Sequence, residues 1–144
     1  MRREYIRAVQ SWRKGPSRYD CAFLNRDQDL PGMRGIDVVR ALLFFAFDFR
    51  GTTYPCALVH WFTTLGDGPD DDTGMWIVQP EVDADGSAVV SIIHLDCIIR
   101  AAHLISVYGA NFVPRRLQLH QSLDSFKTFY VNKFIDHHAF QLAR

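Results

Sequence analysis

Between Ile36 and Phe62 the sequence carries two runs of strand-forming residues separated only by Arg50-Gly51-Thr52, and no other feature restricts the fold so tightly. Val, Leu and Phe dominate Ile36 to Phe49, and Tyr54-Pro-Cys-Ala-Leu-Val-His-Trp-Phe62 is again strand-like, so the pattern predicts a β-hairpin. Side chains alternate across a strand, which puts Phe45, Phe47 and Phe49 on one face and Phe44, Ala46 and Asp48 on the other. One apolar face and one mixed face suit a barrel wall. Pro55 has no amide hydrogen and fits a strand start or an edge better than a central position.

The flanking segments extend this reading. Tyr19 to Leu24 is strand-like and enters a polar loop, Asn25 to Gly35, punctuated by Pro31, Gly32 and Gly35. Gly66 to Gly74 is dense in turn formers and acids and leads to a strand at Met75 to Gln79. Asp83-Ala-Asp-Gly86 turns the chain into Val89 to His94. The interruption at His94 to Cys97 is short enough for a single helical turn, after which Ile98 to Tyr108 forms a last strand ending at Gly109. Short strands, Gly-rich turns and no long intervening helix predict a mainly β fold, a small antiparallel barrel of SH3-like or BAH-like type over residues 19–109. Beyond Pro114 the period changes. Ser122 is a good N-cap, and Leu123, Phe126, Tyr130 and Phe134 recur three or four apart, so an amphipathic C-terminal helix running to about Leu142 is expected within a segment 110–144. It would pack on the barrel or on a partner. Residues 1–18 form a basic arm, extended or with one or two helical turns.

With 144 residues, 48% of them apolar, the chain can bury a core without disulfide or metal support. Cys21, Cys56 and Cys97 are odd in number and form no CxxC pair, which predicts free thiols. The longest apolar run, Ala41 to Phe47, is too short to span a bilayer, and Met1-Arg2-Arg3-Glu4 lacks a signal-peptide core, so a soluble intracellular chain is expected. Net charge is zero but uneven. Residues 1–18 carry six basic and one acidic side chain, residues 19–86 four and twelve, and residues 87–144 six and three. A nucleic-acid contact would therefore come from the ends, chiefly Arg2, Arg3, Arg7, Arg13, Lys14 and Arg18.

Chemistry-bearing patterns are sparse. A two-metal nuclease site needs converging carboxylates, whereas Asp70, Asp71 and Asp72 fall in a Gly/Pro loop and Asp83 and Asp85 flank a turn. Neither His94, Asp96, Cys97 and His103 nor Asp136, His137 and His138 has the tight ligand pairs of a zinc site. Ser91, Ser106 and Ser125 lack a nucleophile elbow, no cysteine sits in a basic turn, and no phosphate-binding glycine motif occurs. The expectation is no catalytic residue, metal or cofactor. Tyr54, Trp61, Trp76 and Tyr108 are the remaining candidates, as a cage for methylated lysine through cation–π contact, although packing also explains them.

Longer strings carry a resemblance. Ser11-Trp-Arg-Lys-Gly-Pro-Ser-Arg-Tyr-Asp-Cys21, Gly32-Met-Arg-Gly-Ile-Asp-Val38, Tyr54 to Phe62, Asp72-Thr-Gly-Met-Trp-Ile-Val78, Ile93-His-Leu-Asp96, Arg100-Ala-Ala-His-Leu-Ile105 with Val107-Tyr-Gly109, and Phe129-Tyr-Val-Asn-Lys133 with Asp136-His-His138 resemble the C-terminal region of Plavaka-type transposases. These belong to the fungal Kyakuja, Dileera and Zisupton group. The resemblance runs from about Trp12 to Leu142. In that family a long body with zinc-finger-like and transposase segments precedes this region, and no position here matches the catalytic acids. The strand pattern is also similar to a small barrel in plant CACTA-type transposases. What the resemblance implies is a non-catalytic accessory domain, a detached C-terminal piece, that holds another part of a transposase or a chromatin protein and is nuclear if it acts there. The alternatives are a nucleic-acid-binding module using the basic ends and a chromatin-peptide reader using the barrel aromatics.

Overall fold

The computed structural model describes residues 6–9, 18–107 and 128–144. Its centre is the expected hairpin, β4 (Ile36–Phe49) and β5 (Thr52–Leu65). Arg50 and Gly51 both take positive φ, 50° and 78°, the geometry of a type I′ turn, whose twist matches that of the paired strands. Phe49 pairs with Thr52 and Ala46 with Pro55. In a two-residue hairpin the hydrogen-bonded pairs alternate from Phe49–Thr52 onward, so the Pro55 nitrogen faces away from β4. The neighbour on that side, β7 (Val90–His94), pairs with β5 only from Cys56 onward. Pro55 thus sits where no ladder bond is lost, as its chemistry requires.

The N-terminal pieces β1 (Ala8–Val9) and β2 (Arg18–Tyr19) pair with each other, so the described part of the arm is extended. The Arg7 amide donates to the Asp20 carboxylate (2.9 Å) and the Asp20 amide to the Arg7 carbonyl (2.7 Å). Strand β3 (Cys21–Asn25) lies beside β4 and, on its other edge, beside β8 (Ile98–Ala102). A 3-10 turn at Leu95–Cys97 joins β7 to β8, where the sequence predicts one helical turn. The order β8-β3-β4-β5-β7, with the 3-10 turn leading the chain from β7 into β8, is that of an SH3-like barrel.

A second set of strands completes the wall. The far half of β5 pairs with β6 (Ile77–Pro80), β6 with β10 (Phe129–Val131), and β10 with β9 (Leu104–Ser106), which continues β8 after His103. Following neighbours from β8 through β3, β4, β5, β6 and β10 to β9 returns to the same stretch of chain, so the antiparallel sheet is nearly closed. The helix expected from Ser122 to Leu142 is corrected here: Phe129–Val131 is a strand, and the helix, α1 (His137–Leu142), is short. Ser122, Leu123 and Phe126 lie outside the described residues. The physical reason is local alternation. Phe129 and Val131 are fully buried on one side while Tyr130 is half-buried, which only period two achieves. Phe134, read as part of the helical stripe, is exposed and packs beside Phe140.

Two cores share the wall β3-β4-β5. Cys21, Phe23, Met33, Ile36, Val38, Phe62, Trp76, Val78, Phe129, Val131 and Ala143 form one, and Ala22, Leu24, Val39, Ala57 and Val59 the other, with Ile6, Phe44, Trp61, Ile93, Leu95 and Ile98 against it. Consecutive residues of β3 point into opposite cores, so this strand is buried on both faces. Helix α1 adds Ala139, Leu142 and Ala143 to one end.

Asp136 caps α1 by accepting from the Ala139 amide (2.8 Å), and Arg100 Nη1 donates to both its carboxylate oxygens (2.8 and 2.9 Å). The Ala139 hydrogen bond, with help from Arg100, holds the Asp136 carboxyl below its ordinary value. A carboxyl with a depressed folded-state pKa favours folding fully above its unfolded value of about 3.9, and that contribution is lost as pH falls through the lower folded value. Asp136→Asn is therefore expected to flatten the acid side of the stability profile below about pH 4, read by chemical denaturation against the wild-type chain at each pH.

Candidate interaction surface

The described aromatic candidates, Tyr54, Trp61 and Trp76, do not converge into a cage. Trp76 is buried in the first core, with the Arg34 guanidinium 5.7 Å from its ring centroid. Trp61 packs against the second core on the opposite face of the same wall, and its indole donates to Ser91 Oγ (2.9 Å). Tyr54 stacks on Phe47 near the hairpin tip (5.3 Å between centroids). Tyr108 lies outside the described residues. A methyl-lysine cage needs rings facing one open space, and Trp61 and Trp76, fifteen positions apart on different sides of a sheet, face none in common.

Of the basic candidates, Arg2, Arg3, Arg13 and Lys14 lie outside the described residues. Arg7 is tied through its backbone to Asp20, and Arg18 belongs to β2. The acidic segments serve turns. Asp70 accepts from the Thr73 amide and hydroxyl (3.0 Å each), and Asp83 from the Asp85 and Ser87 amides (2.9 and 3.0 Å). His94 Nδ1 caps the 3-10 turn by accepting from the Asp96 amide (3.1 Å), while Asn132 Nδ2 lies 2.9 Å from His103 Nδ1. Among the described residues no group of three His, Cys, Asp or Glu side chains is placed to hold a metal ion. No described helix is long and apolar enough to cross a membrane.

A cleft of about 550 Å³ opens between the β3–β4 loop and the segment after β5, lined by Arg26, Arg34, Asp37, Asp67, Trp76 and Glu81 among others. Arg26 donates to the Arg34 carbonyl, and Arg34 to the Asp67 carbonyl (3.2 Å), so both guanidinium groups brace the loops. Burial raises the Asp37 carboxyl above its usual value, partly offset by Arg26.

The thiols differ sharply. Cys21 is buried and its thiol is pushed up to about 12, mainly by desolvation. Cys56 is also buried, whereas Cys97, on the 3-10 turn, is exposed. Because thiolate and access both govern reactivity, one of the three thiols is expected to react rapidly with a disulfide reagent in the native chain and all three after unfolding. Cys97→Ser should remove the fast phase; a fast phase that survives places an accessible thiol elsewhere.

The unusual surface is apolar. On β5 the positions of even number from Tyr54 to Phe62 share a face. At one end of it Phe62 enters the first core; Cys56 is buried as well, and Tyr54, Leu58 and His60 are half-buried. Across the strands Leu43 pairs with Leu58 and Leu58 with Ile92, Phe45 with Cys56, and Phe47 with Tyr54. Leu43, Phe47, Phe49, Val90 and Ile92 are all exposed, Ile92 at 63% and Phe49 at 55%. Alternation in the sequence identifies the apolar face of β4. Which half of that face lies uncovered depends on how far β6, β10 and α1 reach.

Comparison with protein-family models, curated proteins and solved structures returns no match. The fold itself defines the class: a mostly β protein built on a small, nearly closed antiparallel barrel with one short C-terminal helix.

Proposed function

We propose that the chain is a non-catalytic interaction domain of a transposase-derived protein, holding a protein partner, the rest of a transposase or a chromatin protein, on the outer face of the β4–β5 hairpin. The observation that carries this reading is the exposed apolar row itself. Scattered apolar side chains are ordinary on a protein surface, but a contiguous patch marks an interaction site. Here Leu43, Phe47, Phe49 and Ile92 stand on one face with Leu58 and Phe45 between them. Aromatic anchors such as these dominate binding energy when a partner desolvates them. The transposase assignment rests on the sequence strings, and action in the nucleus follows from it.

The test is capture of the transposase body by the full chain, compared with the double substitution Phe47→Ser and Phe49→Ser. Both side chains are exposed, so the fold should survive, which circular dichroism checks. Capture is expected to weaken at least about tenfold, the effect of losing one or two hot-spot residues. Equal capture by a folded variant would remove this face from the reading. Failure of the unaltered chain to bind the body would remove the partner.

A further inference from the structure

The outer hairpin face continues from the side of the wall that closes the first core. Along β5 this side carries Phe62, His60, Leu58, Cys56 and Tyr54, and along β4 it carries Val38, Arg40 and, past the register shift after Ala41, Leu43, Phe45 and Phe47. Val78, Phe129 and Val131 of β6 and β10 lie over the first part of it, and on β5 the first core ends at Phe62. The register fixes which end of that covering layer borders the open part. β6 advances toward the hairpin turn, from Ile77 opposite Leu65 to Pro80 opposite Phe62. β10 runs back and β9 forward again, so Ser106 and Phe129 form the end of the layer nearest the turn. β8 leads the same way, its Ala102 opposite Cys21 and Cys21 opposite Arg40. At this border the chain leaves at Val107 and returns at Thr128, whose carbonyl accepts from the Val107 amide (3.0 Å).

We infer that the outer hairpin face is the docking surface of residues 108–127 of this same chain, seated over Leu43, Phe47, Leu58 and Ile92. The occupant is selected first by where it begins and ends, at the border of the face. Its length suffices. The face runs about 20 Å from Leu58 to the turn, and ten residues out and ten back reach about 33 Å. Its composition matches, because Phe112, Val113, Leu117, Leu119, Leu123 and Phe126 carry large apolar side chains that gain by burial against an apolar row. Residues 10–17 offer one such side chain, Trp12, and Ile6 ahead of them packs against the second core, on the opposite side of the wall. A tethered occupant is spared the entropy of association and acts at an effective concentration on the order of millimolar. Since the same face is the partner site proposed above, a partner must displace this segment. That consequence rests on the proposed function, whereas the docking does not.

The experiment places the photo-crosslinking residue p-benzoylphenylalanine at Phe47 of the full chain, where the ring is already exposed, and at Asp48 on the other face as control. Irradiation of dilute protein is expected to join position 47 to residues 108–127 within one chain, read by mass spectrometry of the digest, while position 48 gives no such product. In a second chain a short Gly-Ser turn replaces residues 110–125, which anchors one hydrogen bond apart accommodate. Binding of the apolar dye anilinonaphthalene sulfonate should then rise at least about tenfold with unchanged circular dichroism. Absence of a crosslink within one chain, a crosslink confined to residues 10–17 or to a second molecule, or equal dye binding by a folded shortened chain would each overturn the inference. Crosslinking is done with the segment intact, so unfolding of the shortened chain leaves it decisive. Capture of the transposase body is read separately. A crosslink without capture by either chain keeps the docking and removes the partner, and tighter capture by the shortened chain supports both.

Discussion

Phe129→Ala is expected to lower the stability of the chain by about 3–5 kcal/mol, the usual loss for deleting a buried phenyl ring from a packed core. Phe129 has no exposed surface, meets Phe62 edge-on (6.1 Å between centroids) and sits on a strand held between β6 and β9. Its neighbour Tyr130 is half-buried and points to the other side. Tyr130→Ala should therefore cost clearly less, and urea denaturation midpoints at constant m-value would show it. A helix through this region would spread the burden differently, so equal losses at the two positions would sink the strand assignment. The pair of substitutions tests the largest departure from the sequence-based expectation.

Gly35→Ala is expected to be the second most damaging of these single changes, at about 1–3 kcal/mol or somewhat more, since it forces extra volume into a filled site. A Cβ at Gly35 would lie 2.4 Å from the Asp27 carbonyl oxygen and 2.5 Å from that of Leu30, both backbone atoms. Those carbonyls cannot swing aside without moving the β3–β4 loop. The Gly35 carbonyl accepts from the Arg26 and Asp27 amides (3.0 and 2.9 Å), so the displacement would break the base of the loop. Gly68→Ala is the control, because a Cβ there meets nothing within 4 Å. If the two alanine variants melt together, the loop tolerates the intrusion and the close approach is not a constraint.

What the sequence made legible is what neighbours in the chain decide. The β4–β5 hairpin, the turn at Asp83 to Gly86 and the 3-10 turn at Leu95–Cys97 follow from strand propensity, glycine position and Asx-type hydrogen bonds, and each appears where expected. Phe129, Tyr130 and Val131 were misleading because Tyr130 and Phe134 also satisfy a four-residue spacing. Pairing with Val78 and Ile105, remote in the chain, settles their conformation. Trp61 and Trp76 look alike in the sequence, yet Trp61 on β5 turns to the second core while Trp76, just before β6, enters the first. The apolar face at Phe47 and Phe49 was visible as alternation, but exposure is a property of what packs above it. Trp61 and Trp76 pack with the two cores, the reading the sequence also offers for them, and the exposed aromatic rings are Phe47 and Phe49 at the hairpin tip.

The meeting of β9 and β10 has a consequence for how this chain can vary. Ser106 pairs with Phe129, and the Val107 amide donates to the Thr128 carbonyl at 3.0 Å. Residues 108–127 therefore depart and return at points one hydrogen bond apart. Anchors that close impose the same boundary condition on any intervening segment, and the entropy of closing it grows only as the logarithm of its length, about 0.6 kcal/mol per doubling. The barrel consequently places almost no tax on what is inserted there. The register of β9 and β10 is therefore compatible with a wide range of lengths between them.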